Sequence, residues 1–108
     1  MHIGYRNIKD PGGTLSREFV LDLRDAFGVR SFVETDTYLG DTLAQLCDDF
    51  DALRSIELSR DYHARAAARF VRSPQIHLIN ADSTTGLETV LGAMPAGRAL
   101  FWLDAHYS

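Results

Sequence analysis

Strands alternating with helices along most of the chain predict an α/β fold on a mainly parallel sheet, and three observations carry that prediction. Four short apolar runs rich in β-favouring residues recur, at 31–34, 53–58, 75–79 and 98–103. Between them lie stretches with apolar residues at helical spacing, each preceded by a capping residue and long enough for a right-handed βαβ crossover. An acid closes each run or follows it closely: Glu34, Glu57, Asp82 and Asp104, spaced 23, 25 and 22 residues apart, one βα unit each time.

Each element has its own justification. Residues 1–13 carry no apolar period and end in the turn signal Pro11-Gly12-Gly13, so they read as a lead-in to a domain over 14–108. From Thr14 onward, Leu15, Phe19, Val20, Leu23 and Phe27 fall at helical spacing, with Thr14 or Ser16 as N-cap and Gly28 as the stop. After the first strand, Asp41 or Thr42 caps a helix that buries Leu43, Leu46, Cys47 and Phe50. Ser59 caps the next, over Tyr62, Ala66 and Phe70, and Ser83 or Thr84 a last one over Leu87, Val90, Leu91 and Met94. Adjacent in one strand, Phe101 and Trp102 must fall on opposite faces of the sheet.

Composition narrows the function classes. A chain of 108 residues suits one small domain, and 45% hydrophobic with 24% charged residues is ordinary globular usage. Eleven Lys and Arg against fifteen Asp and Glu leave a net charge of −4, so the broad positive field of a nucleic-acid binder is missing and no nucleic-acid partner is expected. Cys47, the single cysteine, has no internal disulfide partner and no CxxC mate, and its apolar helical position makes it a core residue; such usage fits a reducing cytoplasm. No apolar run approaches the roughly 18 residues of a membrane span, and the N-terminus has no signal-peptide core. A cytoplasmic protein without a membrane partner is the expectation.

Open parallel sheets bind ligands outside the carboxyl ends of their strands, where the four acids collect. The first strand-to-helix turn, 34–42, offers backbone N–H groups and a helix start suited to a carboxylate or phosphate, although it keeps one glycine, Gly40, and not a full GxGxxG. Its plain alternative is a βα loop capped by Asp41. Glu57 is placed to accept both hydroxyl protons of a ribose, or else is a solvated strand-end acid. Asp82 is suited to an exocyclic amine such as that of adenine, and equally to capping the helix after it. Asp104 with His106 has the chemistry of a divalent-metal site or a general-base pair, against an Asp that fixes its loop beside a surface His. Arg60, His63, Arg65, Arg69 and Arg72 form a solvated basic helix face.

Together, Phe32-Val33-Glu34-Thr35 with Tyr38-Leu39-Gly40-Asp41-Thr42, Ser55-Ile56-Glu57-Leu58-Ser59, Ala81-Asp82-Ser83 and the run from Phe101 to Ser108 resemble class I S-adenosylmethionine-dependent methyltransferases over residues 30–108. The resemblance implies a Rossmann-like three-layer sandwich with strand order 3-2-1-4. It implies that the turn holding Glu34, Thr35, Asp36 and Gly40, running into Asp41 and Thr42, cradles the methionine part of S-adenosyl-L-methionine. Glu57, followed by Leu58, would then bind the ribose, and Asp82 and Ser83 would neighbour the adenine. Asp104 would lie near the methyl donor, with a divalent-metal role as in some O-methyltransferases of this fold, and with His106 would orient a small-molecule methyl acceptor.

Two departures stand out. Asp36 occupies a position where the family pattern usually has Gly, and the sequence stops before the three further strands that would finish the sheet and supply the acceptor pocket, so the domain is expected to be incomplete. Strand 98–103 would then be an apolar edge prone to homodimerisation or aggregation. Besides a catalytically inactive fragment, the competing reading is an NAD-dependent oxidoreductase, which Glu57 would serve equally well; Asp36 and Tyr38 stand where glycines would let a pyrophosphate approach. A receiver-like signalling module needs a lysine after the third strand, whereas the only lysine, Lys9, precedes the first.

Overall fold

The apolar runs that define the strands form a sheet whose central strands, over 31–35, 52–57 and 99–102, are buried on both faces. The computed structural model describes residues 2–4, 16–94 and 98–103. In chain order the elements are β1 (His2–Gly4), α1 (Arg17–Phe27), β2 (Ser31–Thr35), α2 (Asp41–Leu46), β3 (Ala52–Glu57), α3 (Arg60–Arg69), β4 (Ile76–Asn80), α4 (Ser83–Ala93) and β5 (Ala99–Trp102). The strands lie in the order β1-β5-β2-β3-β4, every pair parallel. The four strands read from sequence therefore take the expected 3-2-1-4 arrangement.

One face of the sheet gathers Phe32, Leu53, Leu100 and Trp102 against Val20 of α1, Leu43 and Leu46 of α2, and Phe50, with Phe70 packed at its edge. Phe32, Leu43, Leu46 and Leu53 are fully buried, each removing enough apolar surface for about 1.5–3 kcal/mol. The opposite face gathers Val33, Ile56, Ala99 and Phe101 against Val90 and Leu87 of α4. Phe101 and Trp102 thus divide between the faces as strand alternation requires. Helix α4 lies on its own side because the chain leaving β4 must pass β3 and β2 to reach β5, and a right-handed crossover puts the helix on the face opposite α2 and α3. The reversal between β2 and β5 opens the switch point of the sheet at its carboxyl edge.

Several expectations are corrected here. Residues 2–4, inside the segment read as a lead-in, form β1 and pair with β5 through His2↔Ala99, Ile3↔Leu100 and Gly4↔Phe101. Strand 98–103 is therefore not the exposed edge that was expected to drive dimerisation; a three-residue strand is too short to leave a readable period. Ser16 and Ser59 cap α1 and α3 as expected, but α2 is capped by Gly40 and α4 by Asp82, not by Asp41, Thr42, Ser83 or Thr84. Leu91 is exposed at 56% because the contact stripe of α4 runs through Gly86, Leu87 and Val90. No helix among the described residues is long and apolar enough to cross a membrane.

Gly86 lets α4 approach the sheet: a Cβ there would stand 2.5 Å from Ile56 Cγ2 and 2.9 Å from Cγ1. Alanine gains roughly 1 kcal/mol of helix propensity, but overpacking costs about 1–3 kcal/mol in a site with no room. Gly86→Ala is expected to be net destabilising, read as a lower denaturant midpoint with an unchanged slope. Gly92, also in α4 but facing open space, is the control, and Gly92→Ala should raise the midpoint.

Candidate functional site at the carboxyl edge

The turn between β2 and α2 bends back over β3. The N–H groups of Asp36 and Thr37 both point to the carbonyl of Ile56, at 2.8 and 3.3 Å, and Gly40 N–H closes the turn on Thr37 O at 2.9 Å. Three residues of this turn have left-handed backbone: Asp36 at φ 67°, Tyr38 at φ 51° and Gly40 at φ 86°. Such a conformation costs a side-chain-bearing residue about 1–2 kcal/mol, so at Asp36, where the family pattern has Gly, and at Tyr38 the surroundings must hold it in place. At Gly40 a Cβ would also lie 2.6 Å from the Phe70 ring.

Glu57 is the hub of this edge. It is 5% exposed, and its two carboxylate oxygens accept from different loops: Tyr38 N–H to Oε1 at 2.7 Å and Ser59 N–H to Oε2 at 2.9 Å. Its own carbonyl accepts from Ala81 N–H at 3.1 Å and from Asn80 Nδ2 at 2.8 Å, and Asn80 also reaches Leu58 O at 3.2 Å. The loops that follow β2, β3 and β4 meet at this residue. A carboxylate has about four lone-pair sites, so two amide bonds leave it capacity for a vicinal diol. Glu34, in register with Ser55 on the adjoining strand, is 2% exposed and accepts from Ser55 Oγ at 2.6 Å.

The other expected residues divide. Thr35 is buried at the end of β2, beside the turn. Asp82 and Ser83 sit at the start of α4, where the Asp82 oxygens accept from Thr85, its N–H at 2.8 Å and its hydroxyl at 3.2 Å, so the expected capping role is present. Asp41 is exposed and pairs with Arg69 Nη1 at 2.8 Å, and Arg69 also donates to Leu39 O, which ties α3 to the turn. Thr42 lies half-buried in α2, and Leu58 is 65% exposed next to Glu57. Asp104 and His106 lie outside the described residues. Among the described residues no group of three or more His, Cys, Asp or Glu is arranged to hold a metal.

Some site residues were not found from sequence. Thr37, Ser55, Tyr38 and Asn80 all make hydrogen bonds that shape the edge, and the available signal was a serine inside an apolar strand. Tyr38 also sets its ring against Tyr62, edge-on at 4.7 Å between centroids, and a hydrogen bond between the two side chains holds the Tyr62 hydroxyl above its ordinary pKa. A concavity of about 380 Å³ lies at the opposite, amino edge, lined by Arg24, Arg30, Asp49, Asp51 and others. Asp51 there pairs with Arg30 in solvent and the largely buried Asp49 with Arg17, which makes it a place of ion pairs away from the switch point.

With this geometry in view, the likeness to solved structures is specific. The O-methyltransferase TomG from Streptomyces achromogenes, solved in complex with SAM, superposes at a TM-score of 0.63 with 19% identity over 82% of this chain and 42% of its own. The fold is that of the class I methyltransferases. The 23S rRNA methyltransferase ErmE is similar at a TM-score of 0.59 with 17% identity over 86% of this chain and 37% of that one. The methyltransferase domain of bacterial CtHen1 gives 0.52 with 16% identity over 60% and 38%. The chain thus spans about two fifths of each of these class I methyltransferase structures. No protein-family profile and no curated protein matches the sequence.

Two measurements probe the edge. The bonds from Thr85 hold the Asp82 carboxyl below the usual aspartate value of 3.8, so its contribution to stability is complete above that value and disappears as pH falls through the lower folded one. Asp82→Asn keeps a capping oxygen without a titrating charge, and its acid-unfolding curve should be flatter than wild type below pH ~4. Gly40→Ala combines left-handed backbone with the Phe70 clash, and a loss of about 2 kcal/mol or more is expected in urea unfolding.

Proposed function

We propose that this chain is the cofactor-binding part of an S-adenosylmethionine-dependent methyltransferase. The observation that carries the reading is Glu57: a buried carboxylate at the carboxyl end of the strand beside the switch strand, oriented by amides from two loops, with lone pairs left for a ribose diol. The residues present fit the group. The β2–α2 turn would hold the methionine part, Glu57 the ribose, and the edge from Leu58 to Ser83 the adenine. The acidic edge favours a cationic sulfonium ligand over the doubly negative pyrophosphate of a dinucleotide.

When bound, such a cofactor supplies an activated methyl group on sulfur; the protein's part is to orient it and exclude water. Glu57 fixes the nucleoside end, and the turn fixes the other. A small-molecule acceptor and O-methyl transfer are the finer reading. The net charge of −4 supports it, since a polyanionic acceptor would be repelled. Asp104 and His106 are proposed to orient that acceptor, with a divalent metal at Asp104, and the protein to work in the cytoplasm.

Calorimetric titration with S-adenosylhomocysteine tests the reading. The wild type is expected to bind it and to give no heat with NAD, and Glu57→Ala should weaken binding by at least tenfold, since it removes a charged acceptor of two hydroxyls. Absence of heat with S-adenosylhomocysteine, or tighter binding of NAD, would sink the assignment.

A further inference from the structure

Beneath the β2–α2 turn the protein buries three polar side chains that the cofactor reading leaves without a role as a group. Ser55 is fully buried in β3, and Glu34 and Thr37 are 2% and 5% exposed. They are connected: Ser55 Oγ donates to Glu34 Oε2 at 2.6 Å, and Thr37 Oγ1 lies 2.5 Å from Ser55 Oγ. A serine hydroxyl has one proton, and here the carboxylate receives it, so Thr37 is the donor at the second contact. The chain runs in one direction, from the turn through β3 to β2. A buried hydroxyl without a partner costs about 1–3 kcal/mol, so each hydroxyl of the chain gains from the contact it makes.

The position of Thr37 gives the unit its purpose. Its neighbours Asp36 and Tyr38 are the two non-glycine residues with left-handed backbone among those described. Its main-chain N–H makes only a long contact, 3.3 Å to Ile56 O, so the short hydroxyl contact is the firmer tether between turn and sheet. With Thr37 fixed, Tyr38 is turned so that its N–H meets Glu57 Oε1. We propose that Thr37 and Ser55 are positioning residues for the cofactor site. The hydroxyl chain from Glu34 locks the turn in its strained conformation, and the Tyr38 amide then orients the Glu57 carboxylate. The inference rests on the cofactor reading for its purpose, but not for its first readout.

Thr37→Val keeps the shape and removes the hydroxyl, whereas Thr37→Ser keeps the hydroxyl and loses the methyl group. Ser55→Ala is avoided, because it removes a hydrogen bond from the buried Glu34 carboxylate as well as from Thr37. Amide hydrogen exchange in the ligand-free protein is read at Tyr38 and, as control, at Leu53 and Ile56 of β3. In Thr37→Val the Tyr38 amide should exchange about tenfold faster or more with the β3 amides unchanged, and Thr37→Ser should restore the wild-type rate. S-adenosylhomocysteine affinity should follow the same order, weaker in Thr37→Val and recovered in Thr37→Ser. An unchanged Tyr38 rate in Thr37→Val overturns the inference, as does equal loss in both variants, which would mark simple packing. Wild type that binds no S-adenosylhomocysteine, with the Tyr38 rate still responding to Thr37→Val, sinks the cofactor reading and leaves the locking of the turn standing.

Discussion

In this structure the constraint on which the rest depends is the reversal of chain direction across the sheet between β2 and β5. Before it, α2 and α3 cross on one face, where α1 also packs; after it, α4 must cross on the other. In open parallel sheets such a reversal marks the place, outside the carboxyl ends of the strands, where ligands bind. β2 sits at the centre of this arrangement, with Phe32 committed to one core and Val33 to the other. A one-residue slip of β2 would invert both, so burial on two faces fixes the register that brings Glu34 beside Ser55.

That register has a chemical consequence. The buried face of β2 and β3 is apolar at its amino end, with Phe32 and Leu53, and polar at its carboxyl end, with Glu34, Ser55 and Glu57. The change from core to site happens within two residues along each strand. Glu57 then acts as a junction whose oxygens gather amides from the first and second loops, while its carbonyl gathers the third. A β2–α2 turn with two side-chain-bearing residues in left-handed backbone is tolerable because these contacts over-determine it. Asp36, which departs from the glycine of the family pattern, is accommodated in that strained conformation.

Much of this was legible in the sequence. The short apolar runs marked β2 to β5 to within a residue or so, and the 23-, 25- and 22-residue spacing of strand-end acids pointed to one edge of one sheet. Ser16 and Ser59 were readable as caps because a hydroxyl before an apolar helical stripe has few other uses. Asp82 and Gly40 were harder, since an Asp-Ser-Thr-Thr run offers four candidates and a Gly-Asp-Thr run offers three; only backbone dihedrals choose among them. The pairing of Asp41 with Arg69, 28 residues away, had no signal in the sequence.

The sequence by itself determined the class of fold and the spacing of its strand-end acids, because these follow from local composition and helical periodicity; the order of the four strands it foresaw came from the family resemblance. Only the tertiary structure decided how those acids are used. Glu34 faces Ser55 and Thr37, Glu57 faces Tyr38 and Ser59, and β1 covers β5, through contacts between residues distant in the chain or with no pattern of their own. Hydrogen bonds that link loops to strands carry no period, so they exist for the reader only once the chain has folded back on itself.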